Sequence, residues 1–242
     1  MKISNEQKRI YERWRNDWTL FAKDVLHAKL DEEQKAILRA VQTEKMVAVA
    51  SGTARGKDYI AAVAALCFFY LTPKFDKNHR LVENTKIALT APTGRQCINI
   101  MMPEVSRLFR NAKVLPGRML SDGIRTNNAE WFLTAFKASD DNTEAWSGFH
   151  AVNTMFIVTE ASGVSETTFN AIEGNLQGNS RLLLVFNPNV TTGYAAKAMK
   201  SSRFKKFRLS SLNAENVVKK KQEFYCKGYE IVMDRKIRCV KR

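Results

Sequence analysis

No two of the four cysteines, Cys67, Cys97, Cys226 and Cys239, stand in C-x-x-C spacing. That argues against a zinc centre and a disulfide framework, and it fits a reducing cytosol. Histidine is scarcer still: His27, His79 and His150 lie far apart, so a histidine-based metal centre is not expected. No apolar run is long enough to cross a bilayer; the longest, Ile60–Leu71, falls well short of the roughly 20 residues a span needs. The charged N-terminus does not read as a signal peptide. Internal repeats and low-complexity tracts are missing, and a hydrophobic share of 45% excludes wholesale disorder. Negative charge is in short supply: 24 Asp+Glu face 39 Lys+Arg, a formal net charge of +15. Such an excess favours a polyanionic partner, nucleic acid before an acidic membrane surface.

What is present is a strand, a loop and a helix in the order that binds phosphates. The apolar run Met46–Ala50 leads into Ser51-Gly52-Thr53-Ala54-Arg55-Gly56-Lys57-Asp58, which opens a helix-forming stretch, Lys57–Leu71. Backbone N–H groups of such a loop, with the helix N-terminus, hold nucleotide phosphates, and Lys57 would lie against the β and γ phosphates. The loop departs twice from G-x-x-x-x-G-K-[ST]. Ser51 replaces the first glycine, and Asp58 replaces the magnesium-binding hydroxyl. The competing reading is a glycine-containing strand-to-helix turn with an exposed lysine.

A second motif, Met155-Phe156-Ile157-Val158-Thr159-Glu160, ends a buried-looking strand in a carboxylate, at the edge where ligands of open α/β sheets collect. Glu160 is the candidate base that orients water toward the γ phosphate, on a strand neighbouring that of Lys57. Carboxylate and hydroxyl look exchanged between the motifs, so Asp58 and Thr159 are the candidate Mg²⁺ ligands. The rival reading is a weakened ATPase, because an aspartate beside phosphates repels them unless a metal intervenes.

Around these motifs, residues 1–40 are helical and amphipathic, with Trp14, Trp18, Phe21, Val25 and Leu26 as an apolar stripe, and Leu30-Asp31-Glu32-Glu33-Gln34 reads as a helix start. Strands are expected at Met46–Ala50, Lys86–Ala91, Trp131–Phe136, Thr154–Val158, Arg181–Phe186 and Lys206–Ser210. Helices are expected at Lys57–Leu71, Gly94–Phe109, Glu166–Leu176 and Tyr194–Lys200. Residues 73–85 and 138–147 read as polar loops. Apolar strands alternating with helices predict an α/β fold with a mainly parallel central sheet flanked by helices. The expected division is a helical lead-in over residues 1–45, a core over 46–212 and a basic tail or linker over 213–242. Residues 216–242 carry nine Lys/Arg against three Asp/Glu.

With both motifs placed, the chain resembles, over roughly residues 18–212, the ATPase domain of phage large terminases, the motors that package viral DNA. The resemblance implies a P-loop NTPase of the ASCE type. Leu20-Phe21-Ala22-Lys23-Asp24-Val25-Leu26 and Asp31-Glu32-Glu33-Gln34 are similar to the family's lead-in, in which a glutamine reads the adenine edge; Gln34 inherits that role. Thr90-Ala91-Pro92-Thr93-Gly94-Arg95-Gln96 resembles a strand-end motif whose Arg95 could meet a phosphate or stand solvated. Ser147-Gly148-Phe149-His150-Ala151 matches a segment before the acidic strand, with His150 read as structural. Phe186-Asn187-Pro188-Asn189 resembles the motif coupling hydrolysis to movement, and Asn187 could bond the attacking water or the γ phosphate. Arg55 could stabilise the transferred phosphoryl group, or point outward to DNA or a neighbouring subunit.

The resemblance implies ATP and Mg²⁺ as ligands and hydrolysis driving double-stranded DNA into a capsid. Its partners would be a portal protein, a small terminase subunit and further copies in a ring, in the host cell cytoplasm, with no membrane. The family's nuclease domain is not expected here, since Glu215, Glu223, Glu230 and Asp234 are sparse and set in basic sequence. The second reading is a catalytically weak nucleotide-sensing or DNA-binding module that regulates assembly. A helicase-like ATPase is a third, weakened by the lack of a recognisable second motor lobe.

Overall fold

Alternate residues of strand β1 (Met46–Ser51) enter two different hydrophobic cores, and all six are buried. Val47 and Val49 join one core; Met46, Ala48 and Ala50 join the other. A strand covered on both faces needs the continuous apolar run seen here. The computed structural model describes residues 4–138, 146, 149–214, 217–218, 229–233 and 237–241.

Three helices precede this strand: α1 (Asn5–Asn16), α2 (Trp18–Asp24) and α3 (Glu32–Thr43). Each begins on a capping side chain, Ser4, Asp17 or Asp31, which accepts a backbone N–H of the first turn. Trp18, Phe21, Val25 and Leu26 of the expected stripe are buried, although α2 ends before the last two. Helix α4 (Lys57–Leu71) has the ends read from the sequence and is buried without interruption from Ile60 to Leu71. It lies under the sheet, packed against α2, α3 and strands of the central sheet.

The rest of the sheet comes from β4 (Thr85–Ala91), β5 (Arg118–Leu120), β6 (Gly123–Arg125), β7 (Trp131–Lys137), β8 (Asn153–Thr159), β9 (Asn179–Phe186) and β10 (Lys205–Leu209), after a small hairpin of β2 (Lys74–Phe75) and β3 (Leu81–Glu83). The spatial order is β10-β1-β9-β8-β4-β7-β6-β5. Pairings from β10 to β7 are parallel, and β5 and β6 extend the sheet antiparallel. The mainly parallel α/β sheet is therefore as expected, but three details differ. Strand β9 lies between β1 and β8, so Lys57 and Glu160 do not belong to neighbouring strands. Residues 73–85 contain the β2–β3 hairpin rather than a plain loop. The expected helix over Gly94–Phe109 is interrupted: α-helix at Gly94–Gln96, one π-helical stretch at Cys97–Met101, then α-helix at Met102–Asn111.

Helices Glu166–Gly174 and Gly193–Ala198 cover the second face, where Phe169 stacks on Tyr194 with ring centroids 4.0 Å apart. Near the C-terminus Tyr229–Met233 and Ile237–Lys241 form an antiparallel pair. Ser147, Gly148, Cys226 and the carboxylates Glu215, Glu223 and Asp234 lie outside the described residues, as do the side chains of Glu230 and Cys239. No described helix is long and apolar enough to cross a membrane.

Candidate active site

Where β1 ends, the chain must turn sharply into α4, and the turn is built on left-handed backbone. Gly56, which precedes the helix, has φ +68°, and Ala54 has φ +61°. Glycine adopts this region freely; alanine does so at a cost of roughly 1–2 kcal/mol. Gly52 answers a different need. A Cβ there would come 2.1 Å from Ser211 Oγ and 2.9 Å from the Ser211 backbone nitrogen. The turn Ser211–Asn213, just beyond β10, lies directly on the loop, and the Gly52 N–H donates to the Leu209 carbonyl at 2.8 Å. Ser51 is buried, its hydroxyl donating to the Gly52 carbonyl at 2.9 Å.

Lys57 is the convergence point of the site. Its ammonium lies 2.9 Å from Glu160 Oε1 and 3.1 Å from Asp58 Oδ2. Burial works against the Lys57 charge, but the two carboxylates outweigh it and hold its pKa above the ordinary lysine value. Glu160 follows the last residue of β8 with φ +49°, a conformation costly for a non-glycine residue and characteristic of functional positions. The sheet edge thus brings the two residues together across the intervening β9. Thr159 is buried at the end of β8. Asp58 Oδ1 is buried with no hydrogen-bond partner among the described residues. An orphaned carboxylate oxygen beside a phosphate loop is the hard, anionic ligand that Mg²⁺ takes, so the donor set fits that ion.

Arg55 and Gln34 form a second cluster on the other side of the loop. The Arg55 guanidinium is buried and pairs with Glu33 and, at 3.1 Å, with Asp31, while Nη1 donates to the Asn213 carbonyl at 2.9 Å. Its Nε has no partner among the described residues. Gln34 donates through Nε2 to the Arg55 carbonyl at 3.1 Å and accepts from the Asp31 N–H at 3.2 Å. A Cβ on Gly56 would come 2.9 Å from that same Nε2, so glycine also lets the amide approach. The acidic run Asp31–Glu33, legible as a helix start, also anchors the loop arginine. Thr53, Ala54 and Gly56 of the loop are exposed.

Two further contacts were not legible. Ser162 Oγ donates to the Asn187 carbonyl at 3.2 Å, tying the turn after Glu160 to the turn after β9. Gly163 lies against Pro92, where a Cβ would come 2.8 Å from the ring, which links the same turn to the end of β4. Asn187 is half-buried between β1 and β8 at their C-terminal edge. Arg95 is exposed at a helix start capped by Thr93. His150 is exposed at the opposite edge of the sheet, before β8, away from Lys57 and Glu160.

No protein-family model matches the chain. A probable terminase large subunit of Enterobacteria phage P7 is 29% identical over 184 residues, covering 75% of this chain and 37% of that protein. The chain therefore spans little more than a third of the length of that relative. The Thermus phage P74-26 large terminase ATPase domain superposes with a TM-score of 0.62 at 20% identity, covering 85% of this chain and 89% of that one. The large terminase of the thermophilic bacteriophage D6E, in complex with ADP, gives 0.60 at 12% identity, covering 84% and 51%. The fold is that of these terminase ATPase domains, and in sequence the chain is similar to a terminase large subunit.

Proposed function

We propose that the chain is an ATP-hydrolysing domain that drives double-stranded DNA into a capsid. The observation that carries this reading is the meeting of Lys57 and Glu160, from strands separated by β9, at 2.9 Å over the phosphate loop. Lys57 bridges Glu160 and Asp58. An arriving ATP offers its phosphates to Lys57 and to the N–H groups of residues 51–58, which releases Glu160. The freed carboxylate takes a proton from water as the water oxygen bonds to the γ phosphorus. The bond to the β–γ bridging oxygen breaks, leaving ADP and phosphate. Asn187, which follows β9 between the two strands, would bond the attacking water or the γ phosphate. Gln34 takes the adenine edge with the capacity its amide has left.

Asp58 and Thr159 would hold Mg²⁺. Bound with the nucleotide, that ion supplies charge neutralisation on the phosphates. Arg55 serves the transferring phosphoryl group only after leaving Asp31 and Glu33. The domain division at residues 45 and 212, a portal protein, a small subunit, a ring of copies and the host cytoplasm belong to this reading by family likeness. A nucleotide sensor without turnover is the second reading, favoured by the aspartate at position 58. Magnesium-dependent phosphate release, with and without duplex DNA, separates the two. Turnover lost in Lys57→Ala and in Glu160→Gln supports the ATPase; nucleotide binding with no turnover in the wild type supports the sensor.

A further inference from the structure

The β2–β3 hairpin carries an aromatic ring that the protein core does not enclose. Phe75 meets Trp131 edge-on, with ring centroids 5.6 Å apart, yet 45% of Phe75 remains exposed. The two rings line a cavity of about 470 Å³ together with His79, Arg80, Asn127 and Asn128. The hairpin tip is basic: Lys77 and Arg80 are exposed, with exposed His79 beside them. Its carboxylate, Asp76, is used inside the turn, where Oδ1 accepts the N–H groups of Asn78 at 2.8 Å and Arg80 at 2.9 Å. Among the described residues the hairpin's ion pair is Lys74–Glu83, so Lys77 and Arg80 form no ion pair and only the single Asp76 charge in the turn offsets them.

A ring that merely covered Trp131 would not call for unpaired cations and two amides around its open face. An open aromatic face with flanking cations is the arrangement that stacks an unpaired base while holding its phosphates. Duplex bases are already stacked on one another and offer no free face to such a ring. We propose that the hairpin is a binding site for single-stranded nucleic acid. Phe75 stacks one base, Asn127 and the amide nitrogen of Asn128 (its oxygen already accepts the Glu130 N–H at 2.9 Å) reach the base edge, and Lys77 and Arg80 take the neighbouring phosphates. The hairpin leads into the N-terminal end of β4, so this site lies at the sheet edge opposite Lys57 and does not depend on nucleotide.

The test is fluorescence anisotropy, without ATP, using a labelled oligothymidylate of about twelve nucleotides and a duplex of the same length. Phe75→Leu keeps an apolar cover over Trp131 but removes the ring; Phe75→Trp keeps the ring. The expected result is oligothymidylate affinity lowered roughly ten-fold in Phe75→Leu, retained in Phe75→Trp, with duplex affinity unchanged in both. Arg80→Gln should lower the salt dependence of oligothymidylate binding. Wild-type affinity in Phe75→Leu overturns the proposal. An equal loss for oligothymidylate and duplex also overturns it, because it would mark a surface that reads only backbone charge.

Discussion

Replacing Glu160 by glutamine should move binding and turnover in opposite directions. The amide keeps the shape of the side chain and an acceptor for Lys57, but it removes one of the two carboxylate charges that face the ammonium. Lys57 must leave Glu160, at 2.9 Å, before it can serve a phosphate. One third of the Glu160 side chain is exposed, so solvent screening limits the pair to about 1 kcal/mol or less. Removing that competition should tighten binding of a non-hydrolysable ATP analogue by up to about five-fold. The gain should shrink at high salt, as expected of a partly exposed ion pair. Losing the base should lower turnover by about 10²–10⁴-fold. Titration calorimetry and phosphate release measure the two effects on one preparation. Weaker analogue binding in Glu160→Gln would refute the displacement argument, and turnover close to wild type would refute the assignment of the base.

Other expectations follow from the same geometry. Lys57 is held above its ordinary pKa, so its ion pairs stabilise the fold fully below the unfolded value of about 10.4 and lose that contribution as pH rises through the folded value. Melting curves of wild type and Lys57→Met should therefore keep a constant gap from neutral pH to about pH 10 and converge above it. Asp58→Ala should abolish the magnesium dependence of nucleotide affinity; an unchanged dependence would remove Asp58 as a ligand. Gly52→Ala forces the Ser211 turn off the loop and should cost about 1–3 kcal/mol, or several degrees of melting temperature. Adding Ser211→Gly should recover only part of this, since the Ser211 nitrogen still lies 2.9 Å from the new Cβ. Burial raises the Cys67 thiol well above its usual range and pushes Cys97 to about 11. Mass-spectrometric mapping after thiol labelling at pH 8 should find both unmodified until the protein unfolds.

Much of this architecture can be read along the chain because its strands are short apolar runs bounded by loops. Met46–Ala50 differs from the folded strand only by the inclusion of Ser51, and Lys57–Leu71 has the same ends in sequence and structure. Local pattern does not report spatial order, so the insertion of β9 between β1 and β8 had no signature. The β2 and β3 strands are two and three residues long, too short to show a period, and flank the polar run Asp76–Arg80. At the candidate site, Lys57, Glu160 and Asp58 were each legible from position and chemistry. The partners of Arg55 were not, since Asp31 and Glu33 lie more than twenty residues earlier and read most simply as helix-start carboxylates. The Ser162–Asn187 contact joins two turns whose nearness follows only from the order of the strands.

Helix α4 is apolar on every side from Ile60 to Leu71, with no wet face along which it could slip. Sliding or rotating it would open voids against the sheet and against α2 and α3 together, a penalty that close-packed interiors do not absorb gradually. Lys57 is thus mounted on a helix packed on every side, and under the proposed function nucleotide exchange would be registered by the parts resting on the loop. Those parts are the Ser211–Asn213 turn and the Asp31–Glu33 helix start, each held by a few polar contacts that can be broken singly. On that reading the helix is a fixed anvil, and displacement begins in what leans against it.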